Sequence, residues 1–118
     1  MPIVIALATG SVYISDINFD APGNDNQNPN GEWVRITNDG SSGVNMNGWT
    51  LSDEGENYEY PFHSFILSPG ADVTLFSGSG QDSATELYMG FDRAIWNNDG
   101  DVATLKDDQG TIIDQKRG

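Results

Sequence analysis

The apolar residues of this chain fall into short β-branched or aromatic runs separated by Gly, Pro, Asn and Asp. In the run Val12 to Phe19, Val12 and Ile14 share one parity while Ile17 and Phe19 share the other. That switch near Ser15 and Asp16 predicts a β-bulge. Trp33 to Thr37 alternates, which predicts Val34 and Ile36 facing inward and Trp33 and Arg35 on the opposite face. Val44, Met46, Trp49 and Leu51 predict a further short strand pair or corner, and Tyr58 to Phe62 another strand. Phe65 to Leu67 ends at Ser68-Pro69-Gly70, a strong turn signal. Val73 to Phe76 reads as a buried-type run, and Leu87 to Met89 as a short strand. Val102 to Leu105 and Thr111 to Ile113 flank Lys106 to Gly110, whose Asp-Gln-Gly ending suits a hairpin. Eight or nine short strands, no helix and turns at regular spacing predict an all-β sandwich.

A length of 118 residues fits one domain. Residues 11–118 carry the strand pattern. Residues 1–10 are expected to form an N-terminal arm or edge strand, because Met1 to Ala8 is apolar, short and without a basic leader. No stretch approaches the roughly 20 apolar residues of a membrane-spanning helix. With 36% hydrophobic residues the chain can bury one modest core, and without cysteine it has no disulfide to reinforce it.

Charge narrows the partners. The chain carries 18 acidic and 5 basic residues, a formal net charge of −13. Phosphate backbones and anionic membranes should repel it, so direct nucleic-acid binding and membrane association are not expected.

Four segments stand out in combination: INFDAPGNDNQNPNGEWVRITNDGSSGVNMNGWTLSDE, FILSPGADVTLFSGSG, ELYMG and WNNDGDVATLKDDQGTIID. In this order and spacing they resemble the lamin-tail domain, best in its prokaryotic form, over about residues 11–114. The resemblance implies an immunoglobulin-like sandwich and a non-catalytic binding or accessory role, on a secreted or cell-surface protein. Animal lamin tails offer DNA a basic surface that this chain lacks, so DNA binding is not carried over. The residues agree with the implied fold. Gly48 lets the backbone turn ahead of Trp49, which with Leu51 is expected in the core, and Gly100 suits a tight turn.

The loop from Asp20 to Glu32 is the richest in candidate chemistry. Its Asp, Asn and Glu side chains are the hard oxygen ligands that Ca²⁺ takes, and Asp20, Asp25 and Glu32 are the candidate ligands, with Asp16 and Asp53 able to approach. The spacing is not that of an EF-hand, and Asx-turns bracing the loop account for the same residues. Asp53, Glu54, Glu56 and Glu59 read as one solvated loop, not as carboxylates facing each other across a cleft. Asp99 and Asp101 are expected to brace a turn. His63, the only histidine, has Ser64 as its chain neighbour, which is badly placed for a Ser-His-Asp assembly. Trp33, Tyr58 and Tyr60 are candidate ligand-binding aromatics. The expected role is therefore a binding module, with Ca²⁺ as a candidate stabiliser. Its partner is expected to be a protein or neighbouring domain, with a glycan as the alternative. Dimerisation through an edge strand is the further expectation.

Overall fold

The computed structural model describes residues 11–20, 28–97 and 100–118. The expected arm at residues 1–10 lies outside the described residues. The strands are β1 (Val12–Asn18), β2 (Trp33–Asn38), β3 (Val44–Asn45), β4 (Thr50–Ser52), β5 (Glu59–Pro61), β6 (Ile66–Leu67), β7 (Asp72–Phe76), β8 (Glu86–Tyr88), β9 (Val102–Lys106) and β10 (Ile112–Arg117). They form a first sheet in the order β1-β2-β7-β8, a second in the order β10-β9-β4-β5, and a small β3-β6 ladder. This is the expected immunoglobulin-like sandwich, with ten strands among the described residues in place of eight or nine. The stretch from Val44 to Leu51 divides into β3 and β4 on either side of a tight turn, where Gly48 takes φ 85°.

Two-residue alternation builds the first sheet. In β2 Val34 and Ile36 are fully buried while Trp33, Arg35 and Thr37 stay half-buried on the outer face. β7 repeats this with Val73 and Leu75 inward, and Leu87 does so in β8. The second sheet answers with Leu51, Ala103 and Leu105. Trp49, Met46, Phe62 and Leu67 fill the space between, each stabilising the fold by roughly 1.5–3 kcal/mol if fully removed from water. Phe19 and Trp96 stack with centroids 4.5 Å apart and planes 9° from parallel, closing one part of the core.

Local devices hold the frame. The β1–β2 register shifts between Ile14 and Asp16, so the predicted bulge is present, and a second shift falls between Ile112 and Asp114 in β10. Asn38 is fully buried. Its amide donates to the carbonyls of Ser42 (2.9 Å) and Leu67 (3.0 Å), and its Oδ1 accepts from Ser11 Oγ and the Gly40 N–H. One side chain thus pins the turn after β2 to β6. Asp107 Oδ1 accepts the N–H groups of Gln109 and Thr111, shaping the β9–β10 hairpin.

Candidate functional site

β2, β7 and β8 lie side by side, so their outward residues line up across the first sheet. Trp33 pairs with Phe76, and Phe76 with Tyr88. The three rings form a cross-strand row on the outer face, each half-buried. Phe76 and Tyr88 stack at 5.2 Å, and the Arg35 guanidinium lies 4.8 Å from the centre of the Trp33 ring. Such a row of large aromatics beside an arginine is the composition that interface centres favour.

The next row holds Asp16, Arg35, Thr74 and Glu86. Arg35 pairs with Asp16 at 3.8 Å and its Nε donates to Thr74 Oγ1 at 3.4 Å. Beside it runs an open groove of about 500 Å³ lined by Arg35, Ala71, Asp72, Thr74, Thr85 and Glu86. Desolvation, the hydrogen bond its hydroxyl donates to Glu86, and the charges of Glu86 and Asp82 all push the Tyr88 phenol above its ordinary pKa. The exposed edge of β8 is already occupied. Asp82 Oδ1 accepts the Tyr88 N–H at 2.9 Å, and Ser83 exchanges bonds with Glu86 through the Glu86 N–H to Ser83 Oγ and the Ser83 N–H to the Glu86 carbonyl. A partner strand adding there would have to displace these bonds.

The three candidate aromatics do not share a face. Trp33 belongs to the first sheet. Tyr60 sits in β5 of the second, opposite Leu51 and edge-on to Phe62 at 5.1 Å. Tyr58 packs edge-on to Phe91 at 5.3 Å. The sequence missed Phe76 as a companion of Trp33. Parity alone carried the signal: Val73 and Leu75 face inward, so Phe76 cannot also do so, and the buried-type run Val73 to Phe76 is buried at alternate residues only.

The candidate calcium ligands are placed as follows. Asp20 is exposed just after β1, and Asp25 lies outside the described residues. Glu32 is fully buried. Its Oε1 accepts Ser77 Oγ at 3.1 Å, the Ile95 N–H at 3.0 Å and the Trp96 N–H at 3.4 Å. The sequence reading put Glu32 at the end of a surface loop; the structure has its carboxylate tying the start of β2 to the segment around Trp96. Among the described residues no group of three or more His, Cys, Asp or Glu side chains is arranged to hold a metal ion.

The other acidic candidates serve the backbone. Asp53 is buried and its Oδ1 accepts the Tyr58 N–H at 2.8 Å, shaping its own loop. Asp101, also buried, accepts from the N–H groups of Glu54 and Val102 on Oδ1 and of Asn97 on Oδ2. It therefore braces its turn as expected and also anchors the loop after β4; Asp99 lies outside the described residues. Glu56 pairs with Lys106 across the outer face of the second sheet. His63 and Ser64 are both exposed, and Asn47 Oδ1 accepts the Ser64 N–H at 3.0 Å.

A family model described as the Lamin Tail Domain matches residues 6–117. A search of curated proteins finds no match.

Proposed function

The chain belongs to the lamin tail domain family, a family of non-enzymatic immunoglobulin-like domains, and from that premise we propose that it is an accessory module that binds a protein through the outer face of its first sheet. The observation that carries this reading is the row Trp33, Phe76 and Tyr88, set on a rigid sheet with Arg35 beside it. Large rings held by a sheet lose little conformational freedom on binding, so more of their contact area appears as affinity. The family role points the same way.

A glycan is the second reading, favoured by the same rings. Sugar stacking needs an open ring face. Here Phe76 and Tyr88 face each other and Arg35 covers one side of Trp33. That arrangement suits insertion between side chains of a polypeptide better than a flat pyranose.

Selection of displayed peptides against the folded chain tests the proposal. Selected peptides should bind the wild type and lose binding to the W33A/Y88A variant. Peptides that bind both equally would place the contact elsewhere. A change in tryptophan fluorescence on titration with glycans, with no peptide selected, would favour the carbohydrate reading.

A further inference from the structure

We infer that the groove beside the aromatic row receives an arginine or lysine side chain of the polypeptide partner; this rests on the reading of the first sheet's outer face as the binding surface. The groove of about 500 Å³ lies within the size range of specific ligand sites and is ample for one long side chain. Its two carboxylates, Asp72 and Glu86, both exposed, come from β7 and from the edge strand β8.

The charges within the groove are unevenly matched. Arg35 is already committed to Asp16, to the Trp33 ring and to Thr74 Oγ1. Asp72 accepts a neutral donor, the Thr37 hydroxyl at 2.8 Å, and Glu86 accepts the Tyr88 hydroxyl at 3.2 Å. Among the described residues the ion pairs are Arg35–Asp16 and Lys106–Glu56, so neither Asp72 nor Glu86 has a cation within 4.0 Å. A neutral hydrogen bond leaves a carboxylate's charge in place. A guanidinium or ammonium between the two would supply charge-assisted bonds to both. The net charge of −13 adds long-range attraction for a basic chain and repels an acidic one. Because side chains occupy the edge of β8, such a chain lies across the face and does not extend the sheet.

The test uses the full chain and a capped peptide of alternating arginine and valine, read by backbone amide chemical shifts. The same peptide with citrulline for arginine keeps the shape and removes the charge. The arginine peptide should shift the amides of Asp72, Thr74, Thr85 and Glu86, and the citrulline peptide should bind about tenfold more weakly. A D72N/E86Q variant keeps acceptor oxygens for Thr37 and Tyr88, so its spectrum should show the same dispersed fold. It should bind the arginine peptide about five- to tenfold more weakly. Equal binding of both peptides at this face would overturn the inference and leave the face as the binding surface. Shifts centred on Glu54, Glu56 and Glu59, shifts spread evenly over the acidic surface, or no shift with either peptide would overturn both.

Discussion

The carboxylate of Asp114 accepts the backbone N–H of Ile14 at 2.7 Å, joining two residues 100 positions apart. Ile14 sits at the bulge of β1 in the first sheet, and Asp114 at the bulge of β10 in the second. The other carboxylate oxygen accepts the Gln115 N–H at 2.8 Å. β1 is an edge strand of its sheet, so its outward backbone donors have no ladder partner; here one side chain satisfies such a donor and ties the two sheets along one side. Replacing Asp114 with Ala should destabilise the fold by about 1–3 kcal/mol, since a donor at the seam loses its partner. Asn keeps one acceptor oxygen and should cost less. Urea unfolding should show the midpoint falling with an unchanged slope. A loss below about 0.5 kcal/mol for the Ala variant would mean that water replaces the bond freely.

Glu32 gives a second and larger expectation. Replacing it with Ala strands the Ser77 hydroxyl and the N–H groups of Ile95 and Trp96. The loss should reach about 3 kcal/mol or more, because several buried donors go unpaired together. Gln should be milder. The same variant separates structure from metal binding. If Glu32 acts only within the protein, E32Q should lower the melting midpoint equally in calcium and in chelator. A calcium ligand would instead show a loss that grows with calcium, since a ligand bound only to the folded state adds to its stability. A remaining calcium-dependent shift would then rest with the other candidate carboxylates, and changing Asp20 and Asp25 to Asn should reduce it.

The contrast between Asp16 and Glu32 shows what the sequence can carry. The bulge beside Asp16 and the inward face of β2 were legible, because a strand's parity is written in adjacent residues. Glu32 closes a run of Asn, Gly and Pro, and locally it looks solvated. Its burial is decided by Ser77, Ile95 and Trp96, which lie 45 to 64 positions away. The aromatic row was half legible for the same reason. Alternation turns Trp33 outward, but Phe76 and Tyr88 become its neighbours only through the order β2-β7-β8. That order includes a parallel pairing of β7 with β8, and no hairpin signal announces it.

Alkaline pH provides a third test. Burial, and secondarily the charge of Asp82, push the Tyr60 phenol above its ordinary pKa of about 10. The folded protein therefore holds this proton more tightly than the unfolded chain does. The stability from Tyr60 should be fully present below about pH 10 and be lost as pH rises through the folded value. Phe at position 60 removes the titrating group, so the melting midpoint of Y60F should fall less steeply in that range. D82N should let the phenolate absorbance of Tyr60 and Tyr88 appear at lower pH. Identical alkaline slopes for wild type and Y60F would assign the fall to other groups.

Salt should stabilise this fold. The chain carries a net charge of −13, and among its described residues Arg35–Asp16 and Lys106–Glu56 are the ion pairs that offset it. Folding crowds the remaining carboxylates, and that repulsion is long-range and mostly at the surface. Added NaCl shortens the screening length from about 10 Å at 0.1 M to about 3 Å at 1 M. The two surface pairs lose strength as well, but each is worth less than about 1 kcal/mol. Relief of repulsion should therefore win. If screening recovers about 1 kcal/mol, the midpoint should rise by roughly 3–6 °C. Because sodium sulfate also favours burial by exclusion from the surface, NaCl is the cleaner probe. A midpoint that falls with NaCl would show that attractive pairs outweigh repulsion here, and R35Q should then remove part of the fall.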